Sequence, residues 1–149
     1  MLIFGVFNLE AANLTGNSTI NQYITKLNTD QLTLSQNQLA VKTENATIKT
    51  DTSAVSLDKK AVSQDASDIN KLEKGVLNNT ATQAQLDAAI AKLGTDQTTL
   101  TTATNTLTTA NTTLKTDTSA VSLDNKTISQ DKVAIDNDFK DIGMSQPYK

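Results

Sequence analysis

The chain has no cysteine, no histidine and no tryptophan, proline occurs once, and all 13 of its basic residues are lysine. Without cysteine and histidine there are no disulfides, no thiolate nucleophile, no imidazole acid–base chemistry and none of the usual zinc ligands. Serine and threonine are abundant, but no neighbouring base is available to activate a hydroxyl, so an enzyme is not expected. No cofactor site and no small-molecule ligand are expected either.

The lack of arginine matters for partners. Thirteen lysines against 16 acidic residues give a net charge of -3, and no basic stripe with interleaved aromatics occurs, so nucleic acid is not an expected partner. Aromatic residues make up only 3% of the chain, too few to anchor a compact core, which favours an extended molecule. No stretch approaches the roughly 20 apolar residues of a transmembrane span. The apolar run from Met1 to Leu9 is about as long as a signal-peptide core, but no Lys or Arg precedes it and no small-x-small cleavage site follows. It is expected to belong to the mature chain.

What the chain does have is a seven-residue apolar period. Ile20, Leu27, Leu34, Val41, Ile48, Val55, Val62, Ile69 and Val76 form one series; after a step of ten, Leu86, Leu93, Leu100, Leu107, Leu114, Val121, Ile128, Ile135 and Ile142 form a second. The offset between the series is 66, and the segment from Thr50 to Asp58 recurs unchanged from Thr116 to Asp124. A heptad period sustained this long signifies helices packed lengthwise, and the offset signifies a duplicated unit.

The expected fold is therefore all-α: an elongated, coiled-coil-like antiparallel helical hairpin built from a tandem 66-residue heptad repeat, with an apolar N-terminal extension. Residues 1–12 form an apolar assembly segment, 13–77 the first helical repeat, 78–82 the turn, 83–143 the second repeat and 144–149 a tail. Within the repeats, helices are expected from about 18 to 76 and from about 81 to 142, the second ending at Gly143 ahead of Pro147. Gly75, Asn78 and Asn79 supply the stop, with Asn78 and Asn79 as the turn residues. Folding back there sets Leu27 beside Ile135 and Leu34 beside Ile128. The competing layout is one continuous rod, with the ten-residue step absorbed as a three-residue insertion.

The apolar stripe is one side chain wide. Its neighbours are mostly polar, and Asp51, Asp58, Asp65, Asp117, Asp124 and Asp131 recur every seven residues along one flank. Successive carboxylates on one helix lie about 10 Å apart, too far to share a metal, so this flank is expected to be solvated or lysine-paired. Burying one large aliphatic side chain contributes about 1.5–3 kcal/mol, whereas ordering each residue costs about 1–2 kcal/mol of backbone entropy. A solitary hairpin should be marginal, and association with other copies is the expected remedy.

Candidate assembly residues are Leu2, Ile3, Phe4, Val6, Phe7 and Leu9 of the lead segment, and the repeat mates Leu57 and Leu123, which point outward two positions after a rung. Leu32, Leu39 and Val133 lie on the neighbouring strip. Tyr23, Ile24, Phe139 and Ile142 are expected to close the open end, and Leu72, Leu77, Leu86 and Ile90 the turn end. Asn-x-Ser/Thr sequons occur at Asn13, Asn17, Asn45, Asn78, Asn111 and Asn125; Asn45 and Asn111 are repeat mates placed to set register beside the stripe.

Two heptads, Ile48-Lys49-Thr50-Asp51-Thr52-Ser53-Ala54 and Leu114-Lys115-Thr116-Asp117-Thr118-Ser119-Ala120, resemble stalk heptads of trimeric autotransporter adhesins, with Asp51 and Asp117 where such stalks usually carry asparagine. The resemblance implies helix packing in the style of a surface fibre. The expected function is a non-enzymatic structural protein that self-assembles through long helices into an extracellular or cell-surface filament or sheath, or a virion fibre. Its expected partner is itself. Alternatives are a parallel trimeric stalk of an adhesin or phage fibre, and an amphipathic coat on lipid or storage granules.

Overall fold

The computed structural model describes residues 18–141 and 143. Two helices, α1 (Ser18–Leu77) and α2 (Gln83–Asp141), pack as an antiparallel hairpin. Each helix boundary lies within two residues of the expected one. The assembly candidates Leu2, Ile3, Phe4, Val6, Phe7 and Leu9, residues 13–17 of the first repeat, Ile142 and the tail lie outside the described residues.

Threonine, serine, asparagine and aspartate are weak helix formers, so these helices draw little support from local propensity. From Thr95 to Thr113 one threonine after another donates its Oγ1 hydrogen to the carbonyl four residues back, for instance Thr98 to Gly94 at 2.9 Å and Thr104 to Leu100 at 2.7 Å. Each such bond satisfies a hydroxyl without breaking the helical ladder. Lys74 and Lys140 stand in the last turns of α1 and α2, where positive charge opposes the negative end of the helix dipole.

The connection between the helices is a short, fully bonded turn. Asn79 adopts φ 57, and the bonds Asn79 N–H to Val76 O (3.2 Å) and Thr80 N–H to Gly75 O (2.8 Å) close a Schellman motif on the end of α1. The left-handed residue is thus Asn79, while Gly75 serves by lacking a side chain: a Cβ there would lie 2.8 Å from the Ala81 Cβ. α2 then opens with a capping box, Gln85 N–H donating to Thr82 Oγ1 (3.3 Å) and Thr82 N–H donating to Gln85 Oε1 (2.8 Å). At the other end of α2, Gly143 takes φ 74 and donates to the Lys140 carbonyl at 3.0 Å.

Packing divides the hairpin into two units, one taking the chain up to Lys42 and from Lys115 on, the other Thr43–Leu114. In the first, Ile20, Leu27, Leu34, Ile128, Ile135 and Phe139 form a buried cluster with Tyr23, Ile24 and Val121 packed against it. The rungs that periodicity places beside one another, Leu27 with Ile135 and Leu34 with Ile128, share this cluster, and the expected aromatic closure by Tyr23 and Phe139 is part of it.

In the second unit the rungs are far less enclosed. Val55 is buried, as is Ala110 three residues after a rung, whereas Ile48, Val62, Ile69, Val76, Leu86, Leu93, Leu100, Leu107 and Leu114 are half-buried. The expected apolar closure of the turn is corrected here: Leu72 and Leu86 are half-buried, but Leu77 is 81% exposed and Ile90 50% exposed. Leu77 follows a rung by one residue, about 100° round the helix, so rotation carries it off the seam.

Candidate functional site: the seam and its outer faces

Every described rung, from Ile20 to Val76 and from Leu86 to Ile135, is buried or half-buried. The line three residues after each rung also enters the interface. Asp30, Asn37, Glu44, Asp51 and Asp58 on α1, and Asp96, Ala103, Asp117 and Asp124 on α2, are half-buried, while Asp65 and Asp131 are each only 7% exposed and Ala110 6%. The acidic flank, expected to be solvated or lysine-paired, forms the second line of the seam, and its buried members Asp65 and Asp131 are lysine-paired.

Lysine pairing is concentrated at two places. In the first unit Lys26 Nζ donates to Asp131 Oδ2 across the hairpin at 2.7 Å and to Asp30 Oδ2 on its own helix at 2.8 Å. In the second, Lys92 Nζ donates to Asp65 Oδ1 across the hairpin at 2.6 Å and to Asp96 Oδ2 at 2.8 Å. Lys92, Asp96 and Asp131 lie 66 residues after Lys26, Asp30 and Asp65, so the duplication has placed the same clamp in each unit with the roles of the helices reversed.

The Asp131 hydrogen bond, then that of Asp30, raises the pKa of Lys26 above its ordinary value. Asp65, then Asp96, does the same for Lys92. In return, Lys26 is the main cause that lowers the Asp30 carboxyl, and Lys92 the main cause that lowers Asp96. Elsewhere Asp68 is lowered first by the Gln64 amide and then by Lys71.

Sequence inspection alone does not single out Lys26 and Lys92. The signal was present in the 66-residue offset, but it acquires meaning only once the register sets each lysine opposite an aspartate of the other helix.

The asparagines behave differently from expectation. Asn45 and Asn111 are exposed, and the Asn111 amide donates to Leu107 O of its own helix at 2.8 Å, so it does not set the register across the seam. Asn125 likewise turns back to Val121 O at 2.9 Å. The amide that does cross is Asn37, donating to Asp124 Oδ2 at 2.7 Å. Of the turn pair, Asn78 and Asn79 are both exposed.

Where Ala110 faces the acidic line, the second unit leaves a shallow groove of about 310 Å³ lined by Glu44, Thr47, Asp51, Thr106, Thr109, Ala110 and Thr113. One Asp51 oxygen is buried without a hydrogen-bond partner. Two carboxylates seven residues apart on one helix do not converge on a cation, and no group of three or more potential metal ligands occurs among the described residues.

On the outer faces, Leu57 is 65% exposed and its repeat mate Leu123 63%, and Leu32, Leu39 and Val133 are exposed on the neighbouring strip. No described helix is long and apolar enough to cross a membrane. No family model, no curated protein and no solved structure matches the chain.

Proposed function

We propose that this chain is a non-enzymatic structural protein whose hairpins self-assemble side by side into an extracellular or cell-surface filament or sheath. The observation that carries this is the poverty of burial in Thr43–Leu114, where Val55 and Ala110 are the buried hydrophobic residues while Leu57 stands in solvent. Helices this weak in intrinsic propensity draw most of their stability from packing an apolar face, and this unit has little packing of its own. Neighbouring copies supply it by covering the outward leucines, and the apolar lead segment 1–9 adds a further contact between copies. Catalysis, nucleic-acid binding and small-molecule binding form no part of the function.

Negative-stain electron microscopy of the purified protein tests this. Filaments or sheets with a regular subunit repeat are expected, and deletion of residues 1–9 is expected to abolish them. A dilute, monodisperse monomer of high thermal resistance that does not associate on concentration overturns the proposal.

A further inference from the structure

Each helix of the hairpin carries both halves of the lysine–aspartate clamp. α1 contributes Lys26 to one clamp and Asp65 to the other; α2 contributes Asp131 and Lys92. Subtracting the 66-residue offset turns Asp131 into Asp65, Lys92 into Lys26, and the rungs Ile128 and Leu114 into Val62 and Ile48. In its rungs and clamps the surface of α1 that holds α2 is therefore self-complementary, although Ala103, Ala110 and Phe139 of α2 become Asn37, Glu44 and Glu73.

We propose that α1 of one copy pairs antiparallel with α1 of a second copy of this chain, in the register that sets Lys26 against Asp65 of the second copy and Asp65 against its Lys26. The contact is isologous and keeps both clamps. Leu34 meets Val62 of the second copy, and Ile48 meets its own equivalent at the centre. Opening the turn to make this exchange releases Asn79 from its left-handed conformation and trades the packing of α2 on α1, the first-unit cluster included, for that of the second α1.

The exchanged pair is the weaker one for a single molecule. The position of Phe139 in the hairpin cluster is taken by its repeat mate Glu73, and the short turn gives α2 an effective concentration of about millimolar. Exchange therefore belongs to the assembled state, where neighbouring copies are held at high local concentration. It deepens the self-assembly proposed above and rests on it.

The cysteine-free sequence makes the test direct. Full-length Ile48→Cys is assembled, oxidised and run on a non-reducing gel beside Ser53→Cys, an exposed position on the same helix. Ile48→Cys is expected to give disulfide-linked dimers at least about tenfold above the Ser53→Cys background. Should Ile48→Cys lose its helical circular dichroism, size-tagged Val41→Cys and Val55→Cys chains are mixed instead, and mixed-size dimers are the expected product. Polymers whose seam cysteines cross-link no better than the control overturn the exchange and leave self-assembly standing. Absence of polymers from the parent chain overturns both.

Discussion

Lys26 reaches Asp131 across the hairpin at 2.7 Å, and the pair reappears in the other unit as Lys92 and Asp65 at 2.6 Å. In both, the carboxylate is buried while the lysine keeps about half of its side chain in solvent, at 49% for Lys26 and 60% for Lys92. Solvent screening limits what such a pair contributes, but a buried carboxylate left alone is costly. Lys26→Met should therefore lower the melting temperature, and adding Asp131→Leu should restore it or raise it above the parent. A double-mutant cycle read by thermal circular dichroism checks this; simple additivity of the two changes would exclude a coupled clamp.

Acid and alkali should weaken the clamps from opposite sides. The folded carboxyls of Asp30 and Asp96 lie below the ordinary 3.8, so their stabilisation is complete above the unfolded value and is lost as pH falls through the folded one. Lys26 and Lys92 lie above the ordinary 10.5, so theirs is complete below the unfolded value and is lost as pH rises through the folded one. Melting temperature should fall between about pH 4 and pH 2. In a Lys26→Met/Lys92→Met chain the acid fall should be shallower, and an unchanged acid profile would show that the clamps do not cause it.

The turn gives a test in which helix propensity and packing disagree. Alanine is favoured over glycine inside a helix by about 1 kcal/mol, yet the Cβ of Gly75→Ala meets the Ala81 Cβ at 2.8 Å. Gly75→Ala should destabilise the hairpin, and Ala81→Gly should rescue it. At the neighbouring position Asn79→Gly should be neutral or stabilising and Asn79→Ala destabilising by about 1 kcal/mol, because φ is positive there. Chemical denaturation midpoints measure all four.

Core and outer leucines should separate folding from assembly. Ile135 is fully enclosed, so Ile135→Ala should cost about 2–5 kcal/mol of hairpin stability. Leu57→Ser with Leu123→Ser touches exposed positions and should change the stability of the dilute chain by no more than about 0.5 kcal/mol per site. The same double variant should sharply reduce the pelletable polymer in a sedimentation assay. Undiminished polymer would free these leucines of any role between copies.

The helices and their antiparallel pairing were legible because a seven-residue period maps directly onto one face of a helix, and Gly143 marked the end of α2 by the conformation only glycine adopts easily. The second line of the seam was harder to read. Aspartate and asparagine signal solvent by composition, and only the register shows that Asp65 and Asp131 are enclosed and opposed to lysine. Asn78 and Asn79 were legible as the turn, and Asn79 is its left-handed residue, whereas the Thr82–Gln85 cap and the use of Gly75 for close approach show only in the folded chain. Leu77 went astray because nearness in sequence to the turn does not determine the angle at which a side chain leaves the helix.

The threonine hydroxyls that fold back onto carbonyls along Thr95 to Thr113 have already spent their one hydrogen. They offer water only acceptor lone pairs and a methyl group, so this stretch of α2 is less strongly hydrated than its count of hydroxyls implies. Such a coat repels its neighbours weakly, and strongly hydrated anions such as sulfate, which are excluded from protein surfaces, should drive the hairpins together at modest concentration.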